Sequence, residues 1–466
     1  MPERNWIYYD YTISLCSSCL RRVSAKIVFM DNNVYMLKNC PDHGHEKVLI
    51  ATDIEYYKRL RNYNKRSEIP HRFNTPTLHG CPYDCGLCPD HEQHSCLTVL
   101  EITDRCNLTC PTCYAESSPT AGRHKTLEEV CKMLDLIVGN EKEPDVVQLS
   151  GGEPTLHPQF FEILDEAKKR PIKHLMINTN GIRIAQDEEF AKRLATYMPD
   201  FEIYLQWDSL DNAVLQKLRG ADLRDIRLKA LERLNELNLN TTLVVTLQRG
   251  LNTDQIGSII DFALKQDCVR GVTFQPVQVA GRNENFDAAT ERYTLTETRT
   301  DILNQTNIFN ADDLIPVPCN PDALVMGYAL KLGGEVFPLT RFINPADLLD
   351  NSKNTIVYEQ DEKLKAHMLK MFSTGSPVDK KLEGEFNQLL CCLPMVNAPE
   401  LSYKNLFRII IMQFIDAYNF DVRAIKKSCV HIVNNEHQIV PFETMNLFYR
   451  NEHKKVYERV KNLPIV

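Results

Sequence analysis

The sequence lacks any apolar run long enough to cross a membrane. Its longest apolar stretch, residues 406–415, is too short to span a bilayer and contains Arg408. The N-terminus also lacks a basic segment followed by an apolar one, which a secretory signal needs. We therefore expect a cytoplasmic protein that is not an integral membrane protein.

An excess of positive charge is absent as well. The chain has 54 Lys and Arg residues against 62 Asp and Glu residues, a formal net charge of -8. Such a balance gives no general attraction to phosphate backbones or anionic membrane surfaces, so no nucleic-acid partner is expected. A length of 466 residues allows one large catalytic domain and one or two smaller ones.

Cysteine, in contrast, is abundant and clustered. Ten of the 16 cysteines lie between Cys16 and Cys113, in closely spaced groups. A reducing cytoplasm keeps ordinary thiols unpaired, so metal binding explains these groups better than disulfides do. Cys131 and Cys268 stand apart, within a predicted helix and before a predicted strand, and we interpret them as core residues.

Residues 1–70 are predicted to form a small metal-binding ribbon and a linker. A Cys-x2-Cys pair precedes a stretch of alternating polar and apolar residues, 26–37, and a Cys-Pro-Asp-His-Gly-His segment follows it. Two knuckles that flank a hairpin are typical of ribbons built around one tetrahedral ion. We expect zinc or a rubredoxin-like iron, held by Cys16, Cys19, Cys40 and either His43 or His45.

Residues 71–97 form a second predicted module with four more cysteines. Too little apolar sequence surrounds them to build a separate core. Four thiolates could hold a fully ligated auxiliary 4Fe-4S cluster or a zinc ion, and we favour the cluster. The ligands expected in this module are Cys81, Cys85, Cys88 and Cys96.

Residues 98–285 alternate short apolar runs with helical periodicity, which is typical of strand-helix units and a mainly parallel sheet. Thr126 and Glu129 match a capping box at the start of the first helix. Six units predict most of a barrel, a partial (β/α)6 TIM-like fold of the α/β class. The predicted strands are Thr98–Thr103, Val146–Ser150, His174–Thr179, Glu202–Trp207, Thr242–Leu247 and Gly271–Val277. The other predicted helices are Pro158–Lys169, Glu188–Ala195, Asp225–Leu237 and Asp254–Lys265.

Residues 286–466 are interpreted as a separate C-terminal α+β extension. Residues 406–418 are predicted to form a buried helix, and residues 438–442 a strand. The remaining cysteines could converge on a further cluster, although adjacent cysteines are awkward co-ligands and buried free cysteines are common. This question concerns Cys319, Cys391, Cys392 and Cys429.

A cysteine triplet follows the first predicted strand of the barrel. Cys106, Cys110 and Cys113 place three thiols within eight residues. Three thiolates on one loop can hold three corners of a cubane cluster and leave the fourth iron without a protein ligand. A structural zinc knuckle is the alternative, but it needs a fourth ligand. The Cys-x3-Cys-x2-Cys pattern after a strand resembles the radical S-adenosylmethionine (SAM) superfamily.

That resemblance extends to the ends of the next strands. A Ser-Gly-Gly-Glu-Pro turn follows the second strand, and in the superfamily this turn approaches the methionine part of SAM. Thr112 departs from the superfamily, which usually has an aromatic residue before the last cysteine; here Tyr114 follows that cysteine instead. The resemblance implies SAM contacts at Ser150, Gly151, Gly152, Glu153, Asn178, Asn180, Gln206 and Asp208.

Over nearly its full length the chain resembles a narrower branch, that of archaeal tetraether lipid synthases and class D radical SAM methyltransferases. The shared marks are the ribbon motifs, the stretch Gly80 to Pro89, Phe274-Gln-Pro-Val277, Asp416-Ala-Tyr-Asn-Phe, and Cys429-Val-His431. Part of the branch has paired cysteines at 428 and 429 and another near the end of the following strand, where this chain has Ser428, Cys429 and residues 443–445.

The resemblance implies a radical SAM enzyme in which a reduced cluster cleaves SAM to a 5'-deoxyadenosyl radical. Two outcomes are open: methylation of a pterin-like heterocycle, and carbon-carbon coupling of lipid chains. A flavodoxin- or ferredoxin-type protein is expected as the electron donor. The alternative from another class is a non-catalytic iron-sulfur electron carrier or a metal-dependent interaction module.

Overall fold

A four-stranded antiparallel meander forms the N-terminal part of the computed structural model. Its strands pair in the order β1-β2-β3-β4, and a short helix, α1, follows. The alternation predicted from the sequence corresponds to the β2–β3 hairpin. The bounds are β1 Ile7–Leu15, β2 Arg22–Met30, β3 Asn33–Cys40, β4 Gly44–Ala51 and α1 Ile54–Arg59. The structure describes residues 4–63, 68–284, 286–332, 334–341, 344–345, 405–450 and 453–466.

Six parallel strands, neighbours in the order β5-β7-β8-β9-β10-β11, form the barrel, which confirms the predicted partial (β/α)6 fold. The capping box at Thr126 and Glu129 is present. The six strands are β5 Leu97–Thr103, β7 Val146–Gly151, β8 His174–Thr179, β9 Phe201–Gln206, β10 Thr241–Leu247 and β11 Val269–Pro276. The short strand β6, Thr112–Cys113, lies outside this sheet. The helices are α2 Leu127–Glu141, α3 Phe160–Lys168, α4 Ile182–Gln186, α5 Glu188–Ala195, α6 Asn212–Arg219, α7 Arg224–Glu236 and α8 Ile256–Leu264.

Strands from the C-terminal region extend this sheet at both edges. One of them, β16, pairs in parallel with β11, and β17 pairs in parallel with β5. The boundary at residue 285 therefore does not divide the sheet. The remaining elements are β12 Arg282–Asn283, α9 Leu295–Gln305, β13 Ile315–Pro316, β14 Leu324–Leu332, β15 Glu335–Pro338, β16 Leu406–Met412, α10 Val422–Ile425, β17 Val430–Val433, β18 Ile439–Pro441, α11 Phe442–Thr444, a π-helix Met445–Tyr449, and α12 His453–Val460.

The helix predicted over residues 406–418 is wrong, because Leu406–Met412 is strand β16. A short apolar run does not distinguish a buried strand from a buried helix by periodicity. Three consecutive isoleucines, residues 409–411, favour the extended form, and β16 lies between β11 and β14. The strand predicted over residues 438–442 is confirmed as β18.

A buried charged group lies near the amino ends of the strands. Arg408 donates to Glu202 at 2.5 Å, and His174 lies 3.2 Å from the same carboxylate. All three side chains are buried. Burial alone would raise the pKa of Glu202, but Arg408 and His174 outweigh it and hold the pKa well below its usual value. The main cavity lies toward the opposite, carboxyl ends of the strands, where barrel active sites form.

None of the helices in the described ranges combines the length and apolar character needed to span a bilayer.

Candidate active site

The cysteine triplet lies on the loop after β5 and lines the main cavity. Cys106 and Cys110 are buried, and Cys113 is half-buried. Burial raises the pKa of Cys106 to about 12 and also raises that of Cys110. Without a metal these thiols would stay protonated, because thiolate formation needs a metal or a cation nearby. Three converging cysteines on a cavity wall fit a cluster with one iron open toward the cavity.

Segment 281–283 braces this loop, a feature that the sequence reasoning missed. Arg282 donates to Cys110 O and to Ser117 O, both at 2.8 Å. The short strand β12 pairs with β6, which ends at Cys113. A Cβ on Gly281 would lie 2.5 Å from Cys113 O. The Gly-Arg dipeptide soon after β11 was the available signal, but only the folded chain shows which loop it meets.

The glycine turn after β7 packs on the same loop from another side. A Cβ on Gly151 would lie 2.1 Å from Thr103 O, and one on Gly152 would lie 2.2 Å from Arg105 O. Gly152 N donates to Thr103 O at 2.8 Å. The glycines therefore permit a close approach of two backbone segments, which holds the cysteine loop against β7.

Glu153 is buried and joins the glycine turn to the end of β8. Its Oε1 accepts from Thr155 N, Thr155 Oγ1 and Thr179 Oγ1, and its Oε2 accepts from Asn180 N at 2.8 Å. Burial raises the pKa of this carboxyl despite these donors. Its structural role is to position the turn, and its Oε2 accepts one hydrogen bond where its Oε1 accepts three.

The structure places Asp208, a predicted SAM contact, in a buried ion network with Arg219 and Arg227. Its side chain is fully buried, does not line the cavity, and accepts from Arg219, Arg227 and Thr246 N. Burial alone would raise the pKa of Asp208, but Arg219 and Arg227 outweigh it and hold the pKa far below its usual value. Asp208 instead orients Arg219, whose charge interacts with Cys110 and Cys113. Sequence reasoning missed Arg219 because helix α6 was not predicted.

Polar side chains at the strand ends form a hydrogen-bonded series. Asn178 Nδ2 donates to Ser150 Oγ at 3.2 Å, and Gln206 Nε2 donates to Asn178 Oδ1 at 2.9 Å. Arg219 Nη2 donates to Gln206 Oε1 at 3.1 Å. Asn180 Nδ2 donates to Asn107 Oδ1, within the cysteine loop, at 2.7 Å. The structure thus brings four of the predicted SAM contacts together, with Ser150 buried and the other three lining the cavity.

The cavity has an aromatic wall and an amide wall. The rings of Phe414 and Phe442 stack with centroids 4.1 Å apart, and Tyr114 lies 4.9 Å from Phe442. Gln148 and Gln275 line the cavity from other strands. The empty space of the cavity, together with its open mouth, is about 1350 Å³.

The sequence profile of the Radical SAM superfamily matches residues 100–263, which contain the triplet, the glycine turn and the polar strand ends. Over this segment the chain is similar to the radical SAM superfamily. A second profile, the HMPTM N-terminal zinc ribbon domain, matches residues 8–52.

One relative aligns with this chain over nearly the full length of both proteins. The 7,8-dihydro-6-hydroxymethylpterin dimethyltransferase of Methanocaldococcus jannaschii is 29% identical over 481 residues, covering 95% of this chain and 94% of that protein. The GTP 3',8-cyclase of Chlorobaculum tepidum is 29% identical over 180 residues, covering 38% of this chain and 53% of the cyclase. Streptococcus suis SuiB bound to S-adenosylmethionine matches with a TM-score of 0.39 and 17% identity, over 63% of this chain and 67% of SuiB.

A second cysteine triplet, Cys81, Cys85 and Cys88, has the same spacing as the first. It lines a separate cavity of about 260 Å³. Asp84 shapes its loop, since its Oδ2 accepts from the backbone N–H groups of residues 78, 79 and 80. Burial raises the pKa of Cys85 and of Cys88, so these thiols also need a metal to ionise.

The structure places Cys96, the fourth ligand predicted for this set, beside a different pair of cysteines. Cys96 immediately precedes β5, and its sulfur lies within 4.8 Å of those of Cys319 and Cys429. Cys319 Sγ and Cys429 Sγ are 3.0 Å apart, and His94 Nε2 lies 3.5 Å from Cys96 Sγ. The fold thus carries Cys96 into the barrel interior, away from the loop that precedes it in sequence. Cys391 and Cys392 lie outside the described residues.

The ribbon residues converge as predicted. Ligand atoms of Cys16, Cys19, Cys40 and His43 all lie within 4.8 Å of one another. His43 Nδ1 is 3.6 Å from Cys16 Sγ and 3.5 Å from Cys40 Sγ. Ligands about 2.3 Å from a tetrahedral ion lie roughly 3.8 Å apart, so the spacing fits one metal ion. The geometry favours His43 over His45 as the fourth ligand.

Proposed function

We propose that this radical SAM enzyme is a methyltransferase whose substrate is a planar, pterin-like heterocycle. The observation that carries the proposal is the cavity lining, which includes the stacked rings of Phe414 and Phe442 and the amide side chains of Gln148 and Gln275. A flat heterocycle can stack on the rings of Phe414 and Phe442 while its edge atoms bond the amides. A lipid chain would offer no acceptor to Gln148 Nε2, which has no partner among the described residues, at a cost in free energy.

The full-length similarity supports the same substrate class. The relative from Methanocaldococcus jannaschii carries a name that specifies a dihydropterin as substrate and dimethylation as the reaction. We extend the substrate class, a reduced pterin or a related bicyclic ring, to this chain. The number of methyl groups is not part of the proposal.

We assign the catalytic 4Fe-4S cluster to Cys106, Cys110 and Cys113. When reduced and bound to SAM, a cluster held by these residues would supply the one electron that cleaves SAM to methionine and a 5'-deoxyadenosyl radical, which would abstract hydrogen from an unactivated carbon. Arg219 places a fixed positive charge beside the thiolates, where it also suits the SAM carboxylate. Asn178, Gln206 and Asn180 are the proposed contacts to the ribose and methionine parts, held by their mutual hydrogen bonds.

We assign nine further thiols to three metal sites. Cys81, Cys85 and Cys88 are the proposed ligands of an auxiliary 4Fe-4S cluster, without Cys96. Cys16, Cys19, Cys40 and His43 are proposed to bind zinc, in keeping with the zinc ribbon profile. Cys96, Cys319 and Cys429 are proposed to bind a third centre. Metal sites held by thiolates suit a reducing cytoplasm, and we propose a flavodoxin- or ferredoxin-type electron donor.

The deciding experiment uses anaerobically reconstituted full-length protein with SAM, a strong reductant and 7,8-dihydro-6-hydroxymethylpterin. We expect 5'-deoxyadenosine, and a pterin product whose mass increases by one or more methyl groups when the assay includes an anaerobic extract of the native cells. A protein that binds SAM no better than albumin and forms no 5'-deoxyadenosine would be an electron carrier instead. Coupled lipid chains lost from a deletion strain, with pterins unchanged, would replace the pterin by a lipid.

A further inference from the structure

Gln148 places a buried side-chain amide at the cavity wall. It lies in the middle of β7, its side chain lines the cavity, and the residue is only 5% exposed. Its Nε2 has no hydrogen-bond partner among the residues that the structure describes. A buried donor left unsatisfied costs about 1–3 kcal/mol, so such a group in a binding cavity indicates an acceptor that arrives with the ligand.

The position of Gln148 along β7 separates it from the proposed SAM contacts. Gln148 precedes Ser150 by two residues and faces the same side of the sheet, since side chains alternate along a strand. It is therefore about 7 Å deeper in the barrel than the serine that Asn178 contacts. Val99, its partner on β5, is apolar and also lines the cavity. A donor at this depth faces the substrate rather than the methionine part of SAM.

The other deep amide already has partners. Gln275 Nε2 donates to Tyr204 Oη at 3.2 Å and lies 3.9 Å from Met412 Sδ. That contact fixes Gln275 as part of the wall. Gln148 has no such contact in the described chain, which leaves its N–H groups for a bound molecule.

We infer that Gln148 is the specificity-determining donor of the substrate site and that it donates to a carbonyl oxygen or imine nitrogen on the edge of the bound ring. This inference rests on the proposed function, because it presumes a planar heterocycle stacked on the aromatic wall. It adds a chemical requirement: the edge that enters deepest carries an acceptor. A hydrocarbon chain cannot meet that requirement.

The test compares two ligands that differ at one ring position, 6-hydroxymethylpterin with its 4-oxo acceptor and the corresponding 2,4-diaminopteridine with an amino donor there. Binding to SAM-loaded, cluster-containing protein is measured by anaerobic fluorescence titration. The wild type is expected to bind the oxo compound more tightly. Gln148→Met should weaken that binding roughly tenfold, and Gln148→Glu, which supplies only acceptors when ionised, should reverse the preference.

Gln216→Met, on the exposed surface of α6, is the matched control and should bind both ligands as the wild type does. Iron content and melting temperature report whether each variant folds. If Gln148→Met does not fold, the preference of Gln148→Glu between the two ligands still tests the inference. That preference is a ratio of two affinities of the same protein, so it needs no comparison with another variant.

Two negative results are distinguishable. A wild type that binds the pterin, with both Gln148 variants keeping its affinity and preference, overturns the role of Gln148 and leaves the proposed substrate class standing. A wild type that binds neither pteridine overturns the substrate class and the role of Gln148 together.

Discussion

The two cysteine triplets have the same spacing in the sequence, but the cavities that they line differ in size. Cys106, Cys110 and Cys113 open on a cavity of about 1350 Å³ that also holds the glycine turn, Arg219 and the polar strand ends. The second triplet lines a cavity of about 260 Å³ beside the C-terminal elements. Spacing thus predicts which thiols can share a cluster, while the space around them determines whether a small molecule can reach an open iron.

The two loops are also held in shape by different means. Arg282 and the glycine turn brace the first loop through backbone contacts. Asp84 shapes the second loop through three N–H groups, and Tyr449 Oη donates to Cys85 O at 3.4 Å. A catalytic loop must keep one side clear for its ligand, whereas an electron-relay site gains from being enclosed.

The largest expected effect comes from removing each triplet in turn. Alanine at 106, 110 and 113 should remove about four irons per chain and abolish 5'-deoxyadenosine formation. Alanine at 81, 85 and 88 should also remove about four irons but leave SAM cleavage measurable. Iron analysis and chromatography of the nucleoside check both statements. Equal nucleoside yields from the wild type and the first variant would remove the basis for calling that loop catalytic.

The second-largest effect is expected from a change in the buried charge network beside the first loop. Arg219→Met leaves Asp208 with Arg227 as its remaining cation, and breaking one side of a buried ion network costs about 3 kcal/mol. Lys217→Met, on the exposed face of the same helix, should change the free energy of unfolding little. Denaturant titration of both variants makes the comparison. Equal stability of the two would show that Arg219 does not hold Asp208 in place.

A buried carboxyl near the second loop should make stability depend on pH. Burial raises the pKa of Glu443 from 4.5 to about 7, so the folded state binds its proton more tightly than the unfolded state does. Its contribution is complete below pH 4.5 and is lost as pH rises through 7, an effect of about 3 kcal/mol. Glu443→Gln should flatten the melting temperature between pH 5 and 8, and parallel curves for both proteins would contradict this assignment.

The smallest effects, about 1–3 kcal/mol each, should come from one glycine at each loop. A Cβ at Gly152 would lie 2.2 Å from Arg105 O, and one at Gly86 would lie 2.3 Å from Thr75 Oγ1. Gly152→Ala should lower SAM cleavage, and Gly86→Ala should lower iron at the second triplet. Gly139→Ala, in helix α2 with open space around it, is the control for both. Unchanged cleavage in Gly152→Ala would mean that the turn does not brace the catalytic loop.

Much of the barrel could be predicted, because each strand-helix unit carries its pattern locally. The β8 and α5 bounds match the prediction, and the capping box at Thr126 needs only the residues next to it. The strand β16 could not be predicted, because its extended form depends on pairing between β11 and β14. Local sequence does not contain those partners.

The candidate site shows the same division. Cysteine spacing was enough to predict that the members of each triplet line one cavity, since residues a few positions apart on a loop lie close together. The motif spacing likewise predicted that the ribbon residues come together. Cys96 was assigned to its neighbours in sequence, but its partners, Cys319 and Cys429, lie more than two hundred residues away. Asp208 was assigned to SAM, but its buried arginine partners were not predictable.

The sequence by itself determined which residues can ligate metals and where strands and helices alternate, because these properties arise from residue type and short spacing. Only the tertiary structure decided which triplet lines the main cavity, which carboxylates accept internal hydrogen bonds, and which amide nitrogen at the cavity has no partner among the described residues. Those outcomes depend on burial and on contacts between distant segments, which exist only once the barrel has formed.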